Sequence, residues 1–144
     1  MENFQHLKAF VLAMLLTLSP ATTADAVKTP DHIPGITQVD AEGVLALVEK
    51  APQLVIIDSR IAMDRKQGHI EGSRSLPDTG TNCVSLARII PAKNHPALFY
   101  CNGVKCGRSD VAVKIARQCG YTQLYWYRDG FEDWKLKGYP YLNK

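Results

Sequence analysis

The segment Cys101-Asn-Gly-Val-Lys-Cys-Gly-Arg-Ser109 gathers the residue types that nucleophilic sulfur chemistry needs. Cys101 follows a short apolar run, Ala97 to Tyr100, that reads as a buried strand. Gly103 and Gly107 permit a tight loop. From Ser109-Asp110 onward, Val111, Val113, Ile115 and Ala116 read as an apolar-periodic helix. A cysteine at the C-terminal end of a strand, joined by a loop to a helix start, sits where open α/β sheets bind ligands. The N–H groups of such a loop and helix start form an anion cradle. Lys105 and Arg108 add two cations, and no acid lies between Cys101 and Ser109. A thiol there ionises more readily than a free cysteine. The thiolate is the nucleophile, and the same cradle suits an anionic substrate or product. The competing reading, Cys101 as a small buried hydrophobe, leaves the glycines and cations without a reason.

Other residues invite chemical roles. Asp58 and Arg60 close a second apolar run, Leu54 to Ile57. As a strand-end pair they are read as structural ions bracing neighbouring loops, in preference to catalytic groups. His69, in Gly68-His-Ile-Glu-Gly72, is read as a hydrogen-bonded turn residue in preference to a general base, because an ionised sulfur needs no base. Cys106 sits five residues after Cys101. Three roles stand open for it: a resolving thiol, a sulfur relay or a passive loop residue. The four cysteines, Cys83, Cys101, Cys106 and Cys119, allow three full pairings. No paired C-x-x-C motif is present, so no metal site and no cofactor is expected.

The elements that must position these groups alternate along the chain. Ile36 to Val39 reads as a short edge strand. Asp40 reads as the N-cap of a helix through Val44, Leu45, Leu47 and Val48, ended by Pro52. Leu54 to Ile57 has the doubly apolar character of a central parallel strand. Met63 to Gly68 reads as one helical turn, Asp78 to Asn82 as a loop, and Val84 to Ile90 as a helix with Cys83 near its start. The helix from Ser109 runs to Cys119, with Gly120 as its C′ residue. Leu124 to Tyr127 reads as the last strand, and Phe131 to Lys137 as a short amphipathic helix whose Phe131, Trp134 and Leu136 belong to the core. Strands alternating with helices predict a parallel α/β sheet covered on both faces.

Residues 1–26 read as a signal peptide. Lys8 precedes the uninterrupted apolar run Ala9 to Leu18, Ser19-Pro20 breaks it, and Ala24-Asp-Ala26 has the small-x-small cleavage pattern. The remaining domain, residues 27–144, suits a single core. Removing the leader takes away Lys8, Glu2 and Asp25, which moves the net charge from +3 to +4. That mild excess favours small anions, and no Lys/Arg run points to nucleic acid. No later segment is long enough to span a membrane. The expected location is periplasmic or secreted.

Four segments together resemble the single-domain rhodaneses, a family of sulfurtransferases. They are Val55-Ile-Ile-Asp-Ser-Arg60, Gly68-His-Ile-Glu-Gly-Ser-Arg-Ser-Leu-Pro77, Phe99-Tyr-Cys-Asn-Gly103 with Arg108-Ser109, and Gly130-Phe-Glu-Asp-Trp134 with Gly138-Tyr-Pro140. They fall in the family's order over roughly residues 36 to 142. The resemblance implies a three-layer fold with about five parallel strands and helices on both faces. It also implies a six-residue active loop, Cys101 to Cys106, with Cys101 catalytic. The implied reaction takes the outer sulfur of thiosulfate onto Cys101 as a persulfide, with sulfite leaving. The sulfur then passes to cyanide or a thiol; a protein acceptor is left open. Asn102, Gly103, Val104, Lys105 and Cys106 would line the persulfide site, and Lys105 and Arg108 would hold the oxyanions. The sequence departs from the family's common pattern where Cys106 stands in place of an Arg, with Arg108-Ser109 two residues later. That second thiol keeps a thiol-disulfide redox or persulfide-relay protein as the alternative, beside a non-catalytic binding module.

Overall fold

A computed structural model describes residues 29–143. The expected leader, residues 1–26, lies outside the described residues. Five strands form one sheet: β1 (Thr37–Val39), β2 (Val55–Asp58), β3 (Arg74–Ser75), β4 (Ala97–Tyr100) and β5 (Leu124–Tyr127). Their spatial order is β1-β5-β4-β2-β3, and every neighbouring pair is parallel. The helices are α1 (Ala41–Lys50), α2 (Ala62–Arg65), α3 (Cys83–Ala87), α4 (Arg108–Gln118) and α5 (Gly130–Leu136).

β4 lies at the centre, and all four of its residues are buried. Its Leu-Phe pair alternates between two cores, as period-two geometry requires. Phe99 joins Ile57, Trp126, Leu86, Ala112, Val113 and Ala116, so α3 and α4 cover that face. Leu98 joins Ile56, Val44, Phe131 and Trp134, so α1 and α5 cover the other. Burying a side chain such as Leu98 or Phe99 contributes about 1.5–3 kcal/mol. The buried strand leads directly to Cys101, which is itself 1% exposed.

Local sequence signals set most boundaries. Asp40 caps α1 by accepting from the Gly43 N–H at 2.8 Å. α4 ends in a Schellman turn: Tyr121 N donates to Ala116 O, and Gly120 takes φ +87°. Four differences from the sequence reading stand out. Leu136, read with Phe131 and Trp134 as core, is exposed, because α5 turns only Phe131 and Trp134 onto the sheet. α3 stops at Ala87, and the expected extension to Ile90 is a tighter turn ahead of Pro91. The sequence reading assigns no element to Arg74-Ser75, which pairs with Ile57 and Asp58 as the edge strand β3. A short 3-10 turn, Asp78–Gly80, lies inside the expected loop.

Two disulfides resolve the three open pairings. Cys83, at the start of α3, bonds Cys119, just past α4, with Cα atoms 5.4 Å apart. Cys101 bonds Cys106 across the loop, with Cα atoms 6.1 Å apart.

Candidate active site

The site is built where β2 and β4 end side by side. Asp58 is in register with Tyr100. The Ser59 N–H donates to the Tyr100 carbonyl at 3.0 Å, which sets Ser59 opposite Cys101. Alternation then sorts the side chains. Asp58 and Tyr100 meet on the face of α1 and α5; Ser59 and Cys101 each lie one residue past the strand ends.

On the first face every charge is engaged. Arg60 donates to both Asp58 oxygens, at 2.9 and 2.7 Å, and to the Gly68 carbonyl at 2.8 Å. Arg65 and the Tyr100 hydroxyl also donate to Asp58 Oδ2, at 3.0 and 2.8 Å. The Arg60 guanidinium lies over the Phe131 ring, 4.3 Å from its centroid. Burial pushes the Asp58 carboxyl up, but the hydrogen bonds and charge of Arg60 outweigh it and leave the carboxyl below its ordinary value. Burial likewise pulls Arg60 down and Asp58 more than restores it. Asp58 and Arg60 are 0% and 1% exposed. Their contacts tie the end of β2 to Gly68 and to Tyr100 of β4. Arg60 Nη1 extends the brace to the loop through Asn102 Oδ1 at 3.4 Å, and Asn102 Nδ2 donates to Asp64 at 2.9 Å.

His69 belongs to this brace region and not to the loop mouth. Its N–H and carbonyl pair with Leu142 at 2.9 Å each. Burial, with Arg65 nearby, holds its imidazole below the usual range.

Past the strand ends the chain forms the loop between β4 and α4, against α5. Cys101 is 1% exposed at the loop's base. The carbonyls of Cys101 and Asn102 accept from the N–H groups of Phe131 and Glu132, at 2.9 and 2.8 Å. In trans peptides the N–H points away from its carbonyl. The Asn102 and Gly103 N–H groups therefore point away from α5. The α5 contact explains Gly130: it takes φ +65°, and a Cβ there would lie 2.5 Å from the Cys101 carbonyl oxygen. Gly103 is also pressed, since its Cβ would lie 2.8 Å from Glu132 Oε2.

The cations divide. Val104 and Lys105 are exposed at the loop tip. Arg108 donates to Asp78 Oδ1 at 2.8 Å and ties α4 to the 3-10 turn. Its guanidinium is thus engaged by a carboxylate at the position where the sequence reading put an oxyanion. Cys106 is half-buried and lines an open cleft with Asn102, Gly103, Lys105 and Glu132. A neighbouring cleft of 140 Å³ is lined by Arg60, Asp64, Gln67, Asn102, Phe131, Glu132 and Lys135.

Sequence reasoning missed three residues at this site. Glu132 was read only as part of a motif, yet it lines both clefts. Ser59 is fully buried, and its Oγ has no hydrogen-bond partner among the described residues. Tyr100 was read as a core residue, yet its hydroxyl also meets Ser73 Oγ at 3.1 Å. The strand alternation that places Cys101 could have located Ser59, given the register. Among the described residues no group of three or more His, Cys, Asp or Glu side chains is arranged to hold a metal.

The fold is shared with solved structures. The BH2092 protein of Bacillus halodurans is 21% identical, with a TM-score of 0.66, over 74% of this chain and 76% of that one. The polysulfide-sulfur transferase homodimer of Wolinella succinogenes is 19% identical, with a TM-score of 0.64, over 76% of this chain and 80% of that one. A thiosulfate sulfurtransferase of Pseudomonas aeruginosa is 22% identical, with a TM-score of 0.59; the match covers 74% of this chain but 20% of that one. No curated protein matches the chain. The family model described as Rhodanese-like domain matches residues 40–137, from the cap of α1 to the end of α5, and the chain belongs to that family.

Proposed function

We propose that this protein is a sulfurtransferase that carries sulfane sulfur as a persulfide on Cys101. The observation that carries the reading is the setting of Cys101. It ends the central strand, it is buried, and the N–H groups after it point away from α5. Family membership and the sulfurtransferases among the structural neighbours support the same kind of reaction.

With the loop disulfide reduced, the Cys101 thiolate attacks the outer sulfur of thiosulfate. The S–S bond breaks, sulfite leaves with the electron pair, and Cys101 holds the persulfide anion. The Asn102 and Gly103 amides stabilise that charge as an oxyanion hole does. Lys105 draws the dianion to the loop tip. Cyanide or a thiolate then takes the outer sulfur and returns the thiolate. No metal or cofactor enters these steps. The test is thiocyanate formation from thiosulfate and cyanide by the pre-reduced protein. Turnover that depends on Cys101 is the expected result; a folded, reduced protein that forms no thiocyanate overturns the thiosulfate assignment.

The bond between Cys101 and Cys106 favours a second reading, a thiol-disulfide or persulfide-relay protein. It predicts reduction of the loop bond by an external dithiol with no need of a sulfur donor. We also place the protein outside the cytoplasm. The Ala9–Leu18 run followed by Ala24-Asp-Ala26 motivates this, and two disulfides fit an oxidising compartment. Intact mass of the protein from the native cell checks it: a full-length chain found only in cytosol refutes export.

A further inference from the structure

We propose that Cys106 resolves the Cys101 persulfide and that the site thereby releases sulfide, so that the loop disulfide is the product of a turnover and not merely a protected resting form. The inference rests on the persulfide reading above and adds an activity to it: conversion of a sulfane-sulfur donor and an external dithiol into hydrosulfide and a disulfide.

Three observations carry it. The first is reach. The Cα atoms of Cys101 and Cys106 are 6.1 Å apart, and the two sulfurs are bonded. That separation lies inside the range a disulfide requires. The loop therefore delivers the Cys106 sulfur to the Cys101 sulfur without moving the sheet. The second is the fold of the loop itself. Cys106 N donates to Gly103 O at 2.9 Å, which turns the chain back toward its start. The α5 contacts at Cys101 and Asn102 fix the other limb. The third is access. Cys101 is 1% exposed, whereas Cys106 is half-buried and lines the open cleft.

The chemistry balances. The Cys106 thiolate attacks the inner sulfur of Cys101–S–SH. The Cys101–Cys106 bond forms, the bond to the outer sulfur breaks, and HS⁻ leaves with the electron pair. The outer sulfur is reduced to sulfide, and the two cysteine sulfurs are each oxidised by one electron. An external dithiol then restores the site. Access decides which sulfur it attacks. It meets Cys106 in the cleft, forms a mixed disulfide there and frees Cys101 as the leaving thiolate. Its second thiol releases Cys106. The cycle thus returns the buried nucleophile first, ready for the next donor.

Both cysteines carry work in this cycle, and a single-turnover experiment separates their steps. The protein is reduced, freed of reductant under anaerobic conditions and given one equivalent of thiosulfate. The expected wild-type result is one hydrosulfide and one sulfite released per protein. The wild-type mass should be two hydrogens below the reduced form, with the new bond mapped to Cys101 and Cys106. Under the same conditions Cys106→Ser should be one sulfur heavier and release no sulfide until a dithiol such as dithiothreitol is added. A wild type that keeps the added sulfur and releases no sulfide overturns the inference while the persulfide reading stands. A folded Cys106→Ser protein that gains no sulfur overturns the persulfide reading itself. The wild-type arm decides the inference even where the variant does not fold.

Discussion

The last residues of β2 and β4 and the residues just past them are built oppositely. On the α1/α5 face, Asp58 receives Arg60, Arg65 and Tyr100, and Arg60 in turn lies over Phe131. One residue further along each strand, Cys101 lies in register with Ser59, whose hydroxyl has no partner among the described residues, and is bonded to Cys106. One step along β2 and β4 separates a fixed side from an available one. The lesson is that a single step past the strand end does the sorting: the last strand positions hold the backbone still, and the next positions carry the chemistry.

The largest effect expected tests the available side. Cys101→Ser should drop thiocyanate formation to background while the fold survives, because the hydroxyl is close in size but cannot carry a persulfide. Substantial turnover by the folded variant would dissolve the contrast.

The fixed side predicts a loss of stability. Asp58→Asn leaves Arg60 buried without its charge partner and should cost about 3–5 kcal/mol in denaturant unfolding. The pH dependence follows from the lowered Asp58 carboxyl. A depressed carboxylate contributes stability above its unfolded value, near 3.8, and loses it as pH falls through the folded value. Wild-type stability should therefore decline below about pH 4 through Asp58, and Asp58→Asn should flatten that part of the curve. An unchanged acid limb would remove Asp58 from the account.

The Cys83–Cys119 bond sharpens the comparison, since it secures α3 and α4 at a distance from Cys101. Chain entropy for a separation of 36 residues assigns it up to about 4 kcal/mol. Replacing both cysteines with serine should lower the unfolding midpoint yet leave thiocyanate kinetics within about twofold at temperatures where the variant is folded. A collapse of kcat in the folded variant would mean the far bond shapes the loop.

The smallest effect belongs to Lys105→Ala. Lys105 is exposed at the loop tip, so it should weaken kcat/KM for thiosulfate by about 1 kcal/mol or less, and less still in high salt. A larger, salt-independent loss would show that the side chain bonds the donor directly.

Much of this was legible in the chain. Ala97–Tyr100, the glycines after Cys101 and the periodic helix behind them are strong local signals, and each lies where it was read. The strand-end position of Asp58 and Arg60 was read from the chain, and their mutual contacts lie there. What stayed hidden depends on contacts between distant segments. Nothing near Gly130 says that α5 must touch the Cys101 carbonyl, and nothing near Asp78 says that it will take Arg108. Ser59 became visible only once the register of β2 against β4 was known. The cysteine pairing was open for the same reason, because spacing alone does not say which helix packs on which.

That pairing has a consequence for how the molecule is made. In chain order the cysteines are 83, 101, 106 and 119, and the bonds are nested, with 101–106 inside 83–119. An oxidant that joined thiols in order of appearance would link Cys83 to Cys101 and trap the nucleophile in the wrong partner. Cys83 and Cys119 are brought together in the folded state by the packing of α3 against α4. A chain oxidised in the wrong order must have its bonds exchanged before it holds a usable Cys101.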